Sequence, residues 1–411
     1  MGSWKKLKKC RVCLSSNFTE FLNFGDLYFS GIFPKSENDS VEKGIVNLVF
    51  CNSCTQVQLG NVFDPVLMYG DNYGYMSHLN DSMASHLKKT ANYLLERVSL
   101  SKGQCLVDIG SNDGTFLNFF VDKGINLIGI DPTISKFKKN YHQQIKTFPK
   151  LFDVEIFNEI DENSADIVTS IAMFYDLDNP IDFIRNIHNL LKANGYWYLE
   201  LTYGTWMNKS LSFDTICHEH AVYYTFEQLN RLFLENGFSI EEVTTTKSNG
   251  GSIVILLQKK QASSKMSDFG KYLIDSELDD SVNKIDAWVD FNAKVVKKIN
   301  NLKEFFEGVS TDIPMVGLGA STKGNMLLQL LNMSKANLRA IGEINPDKFG
   351  RFTPGTKIPI VDERDLFSES TKQALVLPWH FRENIILKQR FFLENGGQLI
   401  FPLTDLEVYS R

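Results

Sequence analysis

From Gln104 onward the chain alternates short apolar runs with stretches of helical spacing. CLVDIG, NLIGID, ADIVTSIAMF and GYWYLEL read as buried strands, and PIDFIRNIHNLL, with apolar residues three and four apart, reads as a helix between two of them. That alternation predicts a parallel sheet with crossover helices. Ahead of it, Met83, Leu87, Tyr93 and Leu94 fall at helical spacing behind a tyrosine-rich loop, YGDNYGYMSH. A charged, helix-prone stretch from about 259 to 306 reads as a helical linker. A second α/β unit then opens with PMVGLGASTKGNMLLQLL and continues through RAIGEINP and QALVLPW. The expected organisation is a small module over 1–66 and two α/β domains over 67–260 and 261–411.

Composition narrows the function more than the fold. With 411 residues, 43% hydrophobic and 22% charged, the chain has the makeup of a folded protein of two or three domains. The net charge of -6 comes without a basic block, which argues against general nucleic-acid binding and for small-molecule work. No apolar run approaches the roughly 20 residues that span a bilayer, and MGSWKKLKKC lacks the apolar core of a secretory leader. Lys6 also misses the Ser or Thr of an N-myristoylation signal. A cytoplasmic location is expected, and the domain sizes suit a monomer.

Four of the six cysteines form CRVC (Cys10, Cys13) and CNSC (Cys51, Cys54). Two C-x2-C pairs in a reducing compartment predict a tetrahedral zinc site, structural because four thiolates leave no position for substrate.

Two glycine loops carry candidate binding chemistry. CLVDIGSNDGTFL joins a buried strand to a helix start through Gly110 and Gly114, a geometry that brings backbone close to an adenosine-type ligand. Asp131 ends the next strand about 20 residues on, where an acid accepts hydrogen bonds from ribose hydroxyls. Ser111, Asn112 and Asp113 stand where a dinucleotide loop seats its pyrophosphate, and Asp108 adds another carboxylate. These acids favour the cationic S-adenosylmethionine over NAD. In GLGASTKGN, Ser321, Thr322 and Lys323 at a helix start suit an anion, as the diphosphate of a nucleotide-linked substrate; a packing turn with an exposed lysine is the alternative.

The stretch DTICHEHAVYY places His218, Glu219 and His220 together. If extended, its period of two turns both imidazoles to one face, a layout for proton transfer or for metal binding. Two satisfied core histidines are the plainer alternative. His86 and His188, on expected helices, read as packing residues, and Cys105 as a buried small hydrophobe.

With these residues in view, the chain resembles the nucleotide-sugar C-methyltransferases nearly end to end. The cysteine pairs are similar to that family's zinc-binding module, YGYMSHLNDSMASH to its tyrosine-containing segment, and DIGSNDGTFL with GIDP, which adds Pro132, to its S-adenosylmethionine site. DTICHEHAVYY resembles its catalytic segment and NGGS, starting at Asn249, a further active-site turn. GLGASTKGN, INPDKFGRFTPGTKIPI and LPWHF resemble its C-terminal domain. The resemblance implies a zinc module, a Rossmann-like class I methyltransferase domain and a second Rossmann-like α/β domain that binds the nucleotide-sugar through Ser321, Thr322, Lys323, Asn325, Asn249 and Tyr224. It implies His220 as general base, with Glu219 and His218 beside it and Tyr73 or Tyr75 as donor to the enolate oxygen. Two departures stand near the expected sugar site: Cys217 where the family has tyrosine, and MFYDLDNP with Tyr175 where it has histidine. The competing functions are O- or N-methylation of a nucleotide sugar, and a zinc-containing binding protein without chemistry.

Overall fold

The computed structural model describes residues 4–69, 73–260, 266–309, 315–368 and 370–411. The initial Met-Gly, residues 70–72 of the tyrosine-rich loop and Pro314 lie outside them. The central sheet has seven strands in the order Phe238–Thr246, Ser252–Lys259, Leu191–Thr202, Ala165–Ile171, Cys105–Ile109, Asn126–Ile130, Ile145–Phe148. Only Ser252–Lys259 runs against its neighbours. Cys105–Ile109 is buried at every position, as the middle of a parallel sheet covered on both faces requires.

Helix Asp81–Arg97 begins where the Asn80 side chain accepts hydrogen bonds from the amides of Ser82 and Met83. It buries Met83, Leu87, Thr90, Ala91 and Leu94 against the sheet. Tyr93, expected on that face, is half-buried and donates to Glu242 instead. The helix expected after the first glycine loop is a single turn, Thr115–Asn118, because Asp122 and Gly124 take left-handed backbone and turn the chain into the next strand.

Around the four cysteines, Phe18–Tyr28, Lys43–Cys51 and Val57–Leu59 form an antiparallel sheet. Its fourth strand, Val222–Tyr223, comes from the middle of the chain. The C-terminal sheet orders Ile360–Asp362, Ile341–Glu343, Met315–Leu318, Gln373–Val376, Gln398–Phe401 and Glu407–Tyr409, with only the last strand antiparallel. Helix Asp268–Asp279 docks through Glu277, fully buried, which accepts from Tyr203 Oη at 2.5 Å, Thr205 Oγ1 at 2.8 Å, Phe226 N at 2.7 Å and Glu227 N at 2.9 Å. Helix Ile285–Glu307 buries Trp288 and Phe291 in a core shared with Phe21 and Phe29 of the cysteine module, Phe213 and Cys217 of the middle segment, and Met326 of the C-terminal unit. The segments are thus fused at one apolar junction, and the polar clusters described next border it.

Candidate active site

At the carboxyl ends of two adjacent strands, Gly110 (φ 77°), Asn112 (φ 50°) and Gly114 (φ 79°) turn the first glycine loop through left-handed backbone. Most of the side chains expected to touch a cofactor hold this loop in place. Ser111 Oγ lies 2.8 Å from Tyr141 Oη, and Tyr141 Oη donates to the Asn112 carbonyl at 2.8 Å. Asp131 accepts from Asn112 N at 2.9 Å and from Thr133 N at 2.7 Å, with Pro132 half-buried between them. Asp113 is taken up by protein partners, accepting from Thr115 Oγ1 and meeting His78 Nδ1 at 2.6 Å. Asp108 accepts from Thr169, and burial pushes its carboxyl up to about 7. Among the described residues neither Asp108 nor Asp131 pairs with a lysine, arginine or histidine. Two buried acids without a cation suit a ligand that brings its own positive charge, which is the chemistry of S-adenosylmethionine.

The tyrosine-containing segment straps this loop. Asn112 Nδ2 donates to the Tyr75 carbonyl at 3.0 Å, and Asn112 Oδ1 accepts from Ser77 N at 3.1 Å. Tyr75 is 42% exposed. Tyr73 packs 5.6 Å from the ring of Tyr69 and faces Asp131, Glu219 and Asp176 together, so it stands between the first glycine loop and the segment that carries Glu219.

The expected strand over Asp214–Tyr224 is absent except at Val222–Tyr223; a turn at Phe213–Thr215 and irregular backbone precede it. The two histidines therefore part company. His218 stacks between Phe29 (4.8 Å) and Phe63 (4.9 Å), and its Nε2 donates to the carbonyls of Leu27 at 3.2 Å and Gly44 at 3.3 Å. It anchors the core to the cysteine module: its Nε2 is spent on those two carbonyls, its Nδ1 is buried without a partner, and among the described residues neither His218 nor His220 belongs to a cluster able to hold a metal. His220 Nδ1 lies 2.7 Å from the Thr215 carbonyl oxygen. A carbonyl only accepts, so Nδ1 carries the hydrogen and Nε2 keeps its lone pair. Burial first, then the nearby Lys323, lowers His220 to about 3, and the imidazole is neutral throughout the physiological range.

Glu219 is buried against Gly31 of the cysteine module, and burial raises its carboxyl to about 7 against the pull of Lys348. The Tyr175 ring meets His220 edge-on at 4.5 Å, and Cys217 sits wholly buried beside Glu219. Sequence reasoning missed Asp176, which follows Tyr175 in the flagged stretch MFYDLDNP and faces Glu219. It also missed Asp214, whose carboxylate accepts from Trp379 Nε1 at 2.8 Å and faces Lys323. Both are acids in apolar runs, the one local signal that marked them.

The second glycine loop does not present an anion cradle. Ser321 Oγ caps its own helix by accepting from Gly324 N at 3.0 Å, and Lys323 Nζ donates to the Asn249 carbonyl at 2.7 Å, with Asn249 in left-handed backbone. Asn325 Nδ2 donates to the Ser30 carbonyl at 2.7 Å and locks the C-terminal unit to the cysteine module. Thr322 stays half-buried near Gly31 and Glu219. Tyr224, expected at the substrate, stacks on Phe174 at 5.3 Å in the central core. A cavity of about 710 Å³ lies instead between helix Asp81–Arg97 and the C-terminal sheet, lined by His86, Lys247, Trp379, His380, Arg382 and Glu407. His86 is more than packing there, since its Nε2 meets Glu200 at 2.8 Å; His188 packs on Phe238.

The four cysteines converge. Cys10 and Cys54 sulfurs are 3.6 Å apart, Cys13 and Cys51 3.5 Å, and one ligand atom from each lies within 4.8 Å of the others. Four thiols in that space fit one tetrahedral zinc.

A seven-stranded sheet of this order, with two buried acids free of a cation at the strand ends that flank its glycine loop, defines an S-adenosylmethionine-dependent methyltransferase with a structural zinc module. Family models agree: "Putative zinc binding domain" matches residues 10–69, "Methyltransferase domain" 82–243 and "C-methyltransferase C-terminal domain" 247–404. Together the three matches cover most of the chain and give it the domains of a methyltransferase with a C-methyltransferase C-terminal domain. It is 26% identical over 411 residues to the C-methyltransferase NovU of Streptomyces niveus, covering 99% of this chain and 98% of that one. Among solved structures, the complex of the Haloferax volcanii Trm112 activator with a "putative methyltransferase" is similar at 17% identity, over 44% of this chain and 96% of that chain, with a TM-score of 0.37. The 1,6-didemethyltoxoflavin-N1-methyltransferase of Burkholderia thailandensis, solved with S-adenosylhomocysteine, is similar at 14% identity, over 44% and 80%, with a TM-score of 0.34. Scores this low carry no functional conclusion. No helix of the described residues is long and apolar enough to cross a membrane.

Proposed function

We propose that the protein methylates a carbon beside the ketone of a nucleotide-linked keto-deoxysugar, in the cytoplasm and as a monomer, as a step of branched-sugar synthesis. The work divides along 1–66, 67–260 and 261–411, with zinc structural in the first part. The observation that carries the reading is His220: a neutral imidazole whose Nδ1–H is fixed by the Thr215 carbonyl, leaving an unprotonated Nε2, with the Tyr175 ring edge-on at 4.5 Å.

A C–H next to a ketone yields its proton only if a base accepts it while donors hold the charge that develops on oxygen. His220 Nε2 takes the proton, the C–H electron pair becomes the enolate double bond, and the carbonyl electrons move onto oxygen. S-adenosylmethionine, held at the strand ends, would supply an electrophilic methyl on sulfonium, for which the enolate carbon would be the acceptor as the ketone reforms and the sulfur keeps the electrons of the broken bond. Asp108 and Asp131 hold the cationic donor at the strand ends, and Tyr73 screens the reacting centre from solvent. Glu219 stabilises the imidazolium that forms on His220. The substrate's nucleotide reaches the C-terminal unit, whose 710 Å³ cavity has room for it.

The test uses S-adenosylmethionine with a deuterated methyl and a panel of nucleoside-diphosphate-linked 4-keto-6-deoxyhexoses, reading the label by mass spectrometry and carbon NMR. Label on a ring carbon, lost in His220→Asn while cofactor binding persists, is the expected result. Label on oxygen or nitrogen refutes the enolate route, and cofactor binding without turnover on any panel sugar, together with unchanged function in His220→Asn, supports a binding protein.

A further inference from the structure

His220 is a weak base. An imidazole held near 3 removes a carbon-bound proton only if the enolate is strongly stabilised, so the site needs a donor aimed at the ketone oxygen. Tyr69 and Tyr73 are two candidates, and Lys323 is turned toward Asn249 and Asp214. A third group is better placed than its motif suggests.

Resting on the enolate reading above, we propose that the carboxyl group of Asp176 is a catalytic hydrogen-bond donor to the enolate oxygen. Asp176 ends the turn Phe174–Asp176 beyond the carboxyl end of strand Ala165–Ile171, the neighbour of the strand that carries the glycine loop. In parallel sheets that crevice is where ligands lie. Its Oδ1 is buried and faces the Tyr69 hydroxyl, a neighbour able to share a proton with it, and among the described residues neither atom has a partner at full hydrogen-bond geometry. Unpartnered polar atoms of this kind in a folded core point to a ligand that completes them.

The surroundings keep the carboxyl protonated. Glu219 faces it from the catalytic segment, Tyr69 and Tyr73 from the tyrosine-containing part, Tyr175 from its own turn, and Cys217 and Tyr223 from below. None of these is a cation. Lys348, the ammonium closest in influence to Glu219, is held by the Ala320 carbonyl at 2.7 Å and by Glu343 at 3.4 Å. Two acids in one buried space hold a shared proton rather than two charges. Burial raises the Asp176 carboxyl well above the usual range, against the Tyr69 hydroxyl, which lowers it, and with a smaller push from the charge of Glu219; the balance leaves the proton on Asp176. During the reaction the proton stays on Asp176 as a hydrogen bond; the substrate's proton goes to His220 and from there to solvent, so nothing else is consumed.

The experiment compares wild type, Asp176→Ala and Asp176→Asn on the panel sugar that wild type methylates. Solvent deuterium uptake at the ring carbon without methyl donor reads enolate formation, and kcat against pH reads the donor's ionisation. Removing the donor in Asp176→Ala lowers both rates about 10²- to 10³-fold with cofactor affinity unchanged. Asp176→Asn keeps an N–H donor that cannot ionise, so it stays within about tenfold of wild type and loses the fall in kcat that deprotonation of Asp176 causes at high pH. Deuterium uptake in Asp176→Ala within threefold of wild type overturns the proposal. So does a folded Asp176→Asn as impaired as Asp176→Ala, or one with an unaltered high-pH limb. If wild type itself methylates oxygen or nitrogen without deuterium uptake, the enolate reading falls and takes this inference with it; if wild type exchanges and Asp176→Ala does too, only this inference falls.

Discussion

Gly31 belongs to the cysteine module, yet a Cβ built on it would lie 2.2 Å from Glu219 Oε1, while real contacts of this kind stay above 3.0 Å. In Gly31→Ala something must therefore move by at least about 0.8 Å. The next atoms, Glu219 Cδ at 3.5 Å and Thr322 Oγ1 at 3.6 Å, leave room, so the mobile end of the Glu219 side chain yields and the backbone does not. Stability should fall by no more than about 1 kcal/mol, below the usual penalty for overpacking a rigid core. Catalysis is less forgiving. A misplacement near 1 Å costs roughly 10²-fold when a group must meet a reacting centre, so kcat should fall about a hundredfold. Zinc content, cofactor affinity and urea midpoint should stay near wild type. The assay is steady-state methyl transfer beside urea unfolding; a kcat within threefold of wild type would show that Glu219 is not held in a productive position by Gly31. Unfolding with lost zinc would show instead that the strain went into the module.

Replacing Glu277 with Ala strands four donors at the starts of two helices and should cost about 3–5 kcal/mol in urea unfolding; a loss under 1 kcal/mol would contradict its anchoring role. His218 titrates near 4 because burial disfavours its charged form. Its folded value lies below the ordinary 6.5, so its stability contribution is present at neutral pH and lost as pH falls from about 6.5 toward 4. Lowering from 6.5 to about 4 corresponds to about 3 kcal/mol, and His218→Phe should flatten that part of the stability profile; an identical acid dependence in the variant would refute it. Stripping zinc with a thiol-competing chelator, or Cys54→Ser, should loosen the antiparallel sheet that Val222–Tyr223 completes and abolish activity while leaving cofactor binding measurable. Retained turnover in zinc-free protein would separate the module from the active site.

The alternation of strands and helices, the two C-x2-C pairs and the strand–glycine–helix junction were all legible in the sequence, because each is set by neighbours within a few residues. So was the grouping of titratable side chains in DTICHEHAVYY. What the sequence could not decide was where each of its histidines would point. His218 and His220 are two residues apart, yet one meets carbonyls 174 and 191 residues away and the other folds back on Thr215. The expected period of two needs a regular strand, and tertiary contacts with the cysteine module allowed only two residues of one. Lys323 and Tyr224 have the right chemistry for a substrate, but burial gave Lys323 the Asn249 carbonyl and Tyr224 a place on Phe174. Asp176 acquires meaning only from Glu219, more than 40 residues on, since an acid's proton depends on which charges and how little water share its space. Local pattern determined the elements and the kinds of groups; only the packing of distant segments determined which groups face one another, and that decides the chemistry.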